Sequence, residues 1–362
     1  MPVPFRLAIP QAQIDDLRGR LARTRWPDEP PLAPWSTGTA LAYMQALVQH
    51  WQLGFDWRSH EARINRFAQY TVRIRGIDLH FIHVPGEPGA MPLLLSHGWP
   101  GSIVEFLSLI PRLRGRFSIV APSLPGYTLS FNPGQPRFGV EEIAELFVEL
   151  MTEVLGYRRF GAQGGDWGAF ITSRIAATRP DVLTGIHLNL LALRRDPKSP
   201  AASAEEAAYL EHLAWWLKEE TGYQWIQGTK PQTLAYALAD SPAGLAAWIA
   251  EKFRTWSDGG IARDDMLANI SLYWFSGAIG SSFWPYYARM HRPWPIPDDK
   301  PITVPTGYVE FPKEILRPPR SLAQKTYADI RRWTVRDKGG HFAALEEPAA
   351  LAEEIEAFFD AL

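Results

Sequence analysis

Cysteine is missing altogether from the 362 residues, which excludes disulfides, thiolate metal sites and a cysteine nucleophile together. Neither sign of charge is in excess. The 37 basic and 39 acidic side chains leave a formal net charge of −2, so there is no basic surface for nucleic acid and no field to steer an acidic substrate. A neutral small molecule suits such a chain better. The sequence also has no apolar run of the roughly 20 residues that a membrane-spanning helix needs. The N-terminus, MPVPFRLAIPQAQIDDLRGRLARTRW, is broken early by prolines and charges, unlike a signal peptide or an anchor. No membrane anchor and a cytoplasmic location are therefore expected. Internal repeats and low-complexity tracts are absent too.

What is present is an ordinary globular composition, 46% hydrophobic and 21% charged, at a length that suits one large core with an insertion or extension. Residues 1–75 mix short helical patterns at 11–24 and 41–51 with proline-rich joins such as Trp26-Pro27-Asp28-Glu29-Pro30-Pro31. They are expected to wrap as a meander over another domain. Alternation over 70–75 and 79–84, split by Gly76, predicts a hairpin. Short apolar runs follow at 92–96, 117–121, 159–163, 182–190, 302–306 and 332–335, separated mostly by helical periodicity, notably over 103–113, 140–155 and 169–179. That alternation predicts βα units on a parallel sheet. A last helix over 348–362 can seal one face. Between Leu193 and about Asp299 the strand pattern stops and helical sequence rich in Trp and Tyr takes over. This predicts a helical lid, 193–299, inserted into an α/β core made of 76–192 and 300–362. Lid aromatics can line an apolar pocket, although packing a small helical core accounts equally well for most of the 15 Trp.

The sharpest local pattern is Phe160-Gly161-Ala162-Gln163-Gly164-Gly165-Asp166-Trp167-Gly168. A strand ends, one reactive side chain stands among glycines and a helix begins, as a nucleophile elbow requires. Read alone, Asp166 serves equally well as a helix cap in a glycine-rich turn. Two other segments favour the elbow. Ser96-His97-Gly98-Trp99-Pro100-Gly101-Ser102 follows an apolar strand, where such a fold places its oxyanion-binding loop. The backbone N–H groups of Trp99 and Trp167 are the expected donors, and His97 is read as structural. Gly339-Gly340-His341-Phe342 then puts a histidine between the last strand and the last helix, in the chain order nucleophile, acid, histidine. The acid should follow the run at 302–306. Glu314 is the first candidate, Glu310 the second, and Asp329 or Asp337 would be surprises. Its task is to fix the tautomer of His341 and stabilise the imidazolium.

An aspartate nucleophile narrows the reaction. Serine attacking an alkyl carbon leaves an ether that activated water cannot cleave, whereas aspartate leaves an ester whose carbonyl faces the oxyanion donors. Asp166 thus implies displacement at sp³ carbon, in an epoxide or an alkyl halide. Epoxide opening gains from a phenol hydrogen-bonded to the ring oxygen, and Tyr223, Tyr236, Tyr273, Tyr286 and Tyr287 all lie in the lid.

On these residues the sequence resembles the microsomal-type epoxide hydrolases. The resemblance covers nearly the whole chain and includes Arg25-Trp26-Pro27, His97-Gly98-Trp99-Pro100-Gly101-Ser102, Gly164-Gly165-Asp166-Trp167-Gly168, Thr229-Lys230-Pro231, Asp240-Ser241-Pro242, Glu251-Lys252-Phe253 and Gly339-Gly340-His341-Phe342. It implies the α/β-hydrolase fold, with Asp166 as nucleophile, His341 as base and Glu314 as the charge-relay acid. It also implies Tyr223 and Tyr286 as ring-opening tyrosines, with the adjacent Tyr287 leaving a slip of one residue open. No cofactor and no metal are implied; the partners are an apolar epoxide and water. A homodimer is compatible with the sequence, which does not fix the oligomeric state. Two alternatives stay in view. A haloalkane dehalogenase shares an aspartate elbow followed by Trp, although Trp99 stands where those enzymes often place a side-chain amide. A silent hydrolase fold used for binding is the other, and the presence of all five proposed catalytic residues argues against it.

Overall fold

The computed structural model describes residues 1–194, 196–297 and 300–362. Nine strands form one sheet: β1 (Val3–Phe5), β2 (Gln69–Ile74), β3 (Ile77–Val84), β4 (Met91–Ser96), β5 (Phe117–Pro122), β6 (Phe160–Gly164), β7 (Leu183–Leu188), β8 (Thr306–Glu310) and β9 (Ile330–Val335). Their spatial order is β1-β2-β3-β5-β4-β6-β7-β8-β9. The first four in that order pair antiparallel and all later pairs are parallel. The β2–β3 hairpin turns on Arg75 and Gly76, both at positive φ, the conformation that matches the strand twist in a two-residue turn. Central strands such as β4 and β5 read as continuous apolar runs because helices cover both faces. On β6, a Cβ at Gly161 would meet Phe359 of the helix Pro348–Phe359, while one at Gly164 would meet Gly168 of the helix Asp166–Thr178. Positions three apart on a strand point to opposite faces, so these two helices sandwich the sheet.

Three expected elements come out differently. The strand placed at 302–306 begins only at Thr306; Ile302 makes a single bridge to Tyr327. Pro301 and Pro305 have no N–H to give a ladder. The helix expected over 103–113 is split into a 3-10 turn, Ile103–Phe106, and one turn at Ile110–Leu113, since Pro111 removes a helical donor. The helix expected over 140–155 is α-helical for Val140–Glu149 and widens to a π turn at Leu150–Val154. The edge strand β1 and the helix Trp57–Ile64, capped by the Asp56 carboxylate accepting from Arg58 N–H at 3.0 Å, were not foreseen.

Between β7 and β8 seven helices run from Ala204–Glu219 to Trp284–His291 among the described residues. Arg195 and the expected end of this segment, Asp298 and Asp299, lie outside the described residues. The N-terminal 75 residues supply two strands and also grip these helices. The buried Trp51 indole donates to Ser271 Oγ at 3.0 Å, Thr39 Oγ1 donates to the Ala247 carbonyl at 2.9 Å, and Arg63 pairs with Asp265. Among the described residues no helix is long and apolar enough to cross a membrane.

Candidate active site

Asp166 follows β6 and opens the helix Asp166–Thr178 with φ at +46°, a left-handed conformation that a non-glycine residue adopts only when its surroundings hold it there. Packing supplies the hold. A Cβ at Gly168 would stand 1.9 Å from the Ser96 carbonyl oxygen, so the helix is pressed directly onto the end of β4. A Cβ at Gly98 would stand 2.1 Å from Asp166 Oδ1, so only glycine lets the loop after β4 reach the carboxylate. There the Trp99 N–H donates to Asp166 Oδ1 at 2.7 Å. Trp167 is second in the helix, where a backbone N–H has no intrahelical acceptor.

On the other side of the carboxylate His341 Nε2 lies 3.4 Å from Asp166 Oδ2, and His341 Nδ1 meets Glu314 Oε1 at 2.6 Å. Glu314 Oε1 also accepts from the Ile315 N–H at 2.7 Å, and both Glu314 and His341 are buried. The loop bearing His341 is tied to the inserted helices, because its N–H donates to the Trp256 carbonyl at 2.9 Å and its ring stands edge-on to Trp256. Burial opposes charge on this imidazole. The attraction of Glu314 and the hydrogen bonds to Asp166 and Glu314 outweigh it and raise the pKa well above the usual value for histidine. The other acids considered are elsewhere: Glu310 faces Arg317 at 3.9 Å, and Asp329 pairs with Arg331.

The tyrosines separate clearly. Tyr223 and Tyr286 meet edge to face, 5.7 Å apart, and both pack on Trp99; Tyr286 also stands edge-on to Trp167 at 4.8 Å. With Asp166, Trp167, Phe170 and Trp294 they line a cavity of ≈ 330 Å³. Tyr223 Oη accepts from Gln224 Nε2 at 2.8 Å. The buried Tyr286 Oη makes no well-formed hydrogen bond among the described residues, the Trp167 indole being near it, and burial holds its pKa well above 10. Tyr287 is stacked between Trp284 and His291, Tyr236 is exposed, and Tyr273 donates to the Gly101 carbonyl at 2.8 Å. His97 accepts from the Leu124 N–H at 3.1 Å, and burial lowers its pKa to about 4.

Behind Asp166 a small space of ≈ 20 Å³ is lined by Ser96, Glu105, Gln163 and His341. That is room for one water. Among the described residues Ser96 Oγ and Gln163 Oε1 have no hydrogen-bond partner, and burial pushes the Glu105 carboxyl up to about 8. Sequence reasoning missed Glu105; its signal was a lone acid in the apolar stretch Ile103-Val104-Glu105-Phe106-Leu107. Among the described residues no group of three or more His, Asp or Glu side chains is arranged to hold a metal ion.

A strained carboxylate after a parallel strand, an N–H donor from the neighbouring loop and a histidine held by a glutamate define an α/β-hydrolase site. The family profile described as "alpha/beta hydrolase fold" matches residues 91–277, and "Epoxide hydrolase N terminus" matches residues 2–106. The chain is 40% identical to a protein of Stigmatella aurantiaca (strain DW4/3-1) provisionally named an epoxide hydrolase, over 98% of this chain and 84% of that one. It is 34% identical to epoxide hydrolase 1 of Sus scrofa, over 99% and 88%. The crystal structure of juvenile hormone epoxide hydrolase from the silkworm Bombyx mori superposes with a TM-score of 0.90 at 30% identity, covering 100% of this chain and 94% of that one. The chain belongs to the microsomal-type epoxide hydrolase family.

Proposed function

We propose that this protein hydrolyses an apolar epoxide to a vicinal diol through an ester on Asp166. One observation carries the reading: the Asp166 carboxylate stands between a backbone donor and a glutamate-held imidazole, at the end of an aromatic cavity bearing two phenols. Oδ1 is engaged by the Trp99 N–H, which leaves Oδ2 to attack. As it bonds to the epoxide carbon, the ring C–O bond breaks and the ring oxygen takes a proton from the phenol pair, Tyr223 and Tyr286. His341 then removes a proton from a water, whose oxygen adds to Asp166 Cγ. The small polar space behind Asp166 is a place for that water. The oxyanion on Oδ1 faces the N–H groups of Trp99 and Trp167, and on collapse His341 returns its proton to the departing diol oxygen. Glu314 holds the tautomer and stabilises the imidazolium. In this reading 193–299 is a lid over a core of 76–192 and 300–362, and 1–75 is a meander that clasps both.

The test is a single turnover of styrene oxide with enzyme in excess in water enriched in heavy oxygen. The first diol should carry no label, and the label should appear in Asp166; labelled diol in that first turnover overturns the nucleophile. In His341→Gln the ester should persist, detected by mass spectrometry as a substrate adduct on the peptide containing Asp166.

A further inference from the structure

Lys252 has no part in the chemistry above, yet it is 7% exposed and its ammonium lies against the site. Its Nζ is 4.6 Å from the centre of the Tyr223 ring and 5.4 Å from that of Trp256. Glu251 pairs with the ammonium at 2.5 Å, its own side chain 23% exposed. A cation within about 6 Å of a ring face is attracted to it, more so when water is excluded. The two phenols therefore differ. Tyr223 has the Lys252 ammonium over its ring, whereas Tyr286 is surrounded by Trp99, Trp167 and Tyr223, with no cation over its ring among the described residues.

As an epoxide opens, its oxygen gains negative charge and draws a proton from a phenol, which then takes on the charge of a phenolate. A fixed cation on that ring, already attracted to the neutral phenol, is more strongly stabilising as this charge develops, so it favours the transition state over bound substrate. Resting on the function proposed above, we propose that Lys252 makes Tyr223 the phenol that gives up its proton, while Tyr286 holds the ring oxygen as a hydrogen-bond donor and keeps its own. Bonds and protons balance. Asp166 Oδ2 bonds to carbon, the C–O electron pair goes to the ring oxygen, and the Tyr223 proton follows it. After ester hydrolysis, the proton left on the Asp166 carboxyl returns to the Tyr223 phenolate. Lys252 is a positioning residue in this scheme, since it touches the phenol and not the substrate.

The experiment separates the two half-reactions. Ester formation from styrene oxide is timed by rapid quench, and ester decay is followed in the same enzymes. Lys252→Met, which keeps the bulk of the side chain, should slow ester formation roughly 2- to 30-fold, the size of a desolvated cation–ring contact, and leave ester decay unchanged. Lys252→Arg should recover most of the loss. Glu251→Gln, which removes the counter-charge, should leave formation as fast or faster. In a Tyr223→Phe background Lys252→Met should cost nothing further. Unchanged formation in Lys252→Met, equal slowing of both steps, or a persisting effect without the Tyr223 hydroxyl would overturn the inference. If Lys252→Met does not fold, slower formation in Glu251→Gln overturns it alone. Failure of the unaltered enzyme to form any ester is a different result, which overturns the proposed function and this inference together.

Discussion

At His341 two carboxylates act on one imidazole, and their effects fall at different times. Glu314 meets Nδ1 and Asp166 lies by Nε2; in the mechanism proposed above, Glu314 keeps its charge, whereas Asp166 would lose its own on becoming an ester. The raised pKa of the free site therefore relaxes at the stage where a neutral base is needed. Glu314→Gln tests this. In that mechanism ester decay requires neutral His341, so its rate should rise as pH passes through the histidine pKa. Removing the anion lowers that pKa because the attraction of Glu314 is the largest of the effects that offset burial. The rising limb should move to lower pH, and the plateau should fall about 10²- to 10⁴-fold as the tautomer is lost. Decay followed from pH 5 to 9 after a single turnover checks it; an unmoved limb would assign the shift to another group.

The element that matters most is the joint of β6 with the helix Asp166–Thr178. Its geometry is set by contact between backbones rather than by side-chain fit, because Gly168 leaves no gap between helix and Ser96. Backbone cannot yield as the tip of a flexible side chain can. Gly168→Ala should cost about 3 kcal/mol or more in urea unfolding and shift Asp166 relative to Trp99 and His341. A misplacement of about 1 Å is enough to lower turnover on the order of 10²-fold. Normal turnover in a folded Gly168→Ala enzyme would show that the carboxylate is placed by something other than this joint.

Across the whole molecule, buried ionisable groups pull stability in two directions. Burial lowers the pKa of His80 and His187 to about 3 and that of His97 to about 4. These rings are neutral in the fold and gain protons in the unfolded chain below about 6.5, so their contribution is lost as pH falls. Glu105 at about 8, Glu346 at about 7 and the raised His341 behave oppositely. They hold protons that the unfolded chain gives up, so their contribution is lost as pH rises through those values. Stability should therefore peak near pH 6–7, fall towards pH 9, and fall on the acid side. The acid decline should be shallow down to about 4.5, where the two glutamates still oppose the histidines, and steeper below. Urea midpoints at constant ionic strength check this. A midpoint still rising at pH 9 would contradict the alkaline half, and Glu105→Gln should flatten that half.

The sequence by itself determined the strands as apolar runs, the glycine-flanked Asp166, the loop of Trp99 and the loop of His341. Each depends on neighbours within a few residues, through steric limits that no partner is needed to define. Element limits suffered where proline intervened, at Pro305 for a strand and at Pro111 for a helix. Composition offered five lid tyrosines without choosing among them; resemblance singled out Tyr223 and Tyr286, and docking of the inserted helices is what turns those two inward and leaves Tyr236 outside. That Glu105 and Lys252 lie against the site became visible only in three dimensions. Nothing in helical periodicity says which face meets a carboxylate far away in the chain. Tertiary packing decided that, because the side chains converging on Asp166 come from segments whose mutual placement no local rule encodes.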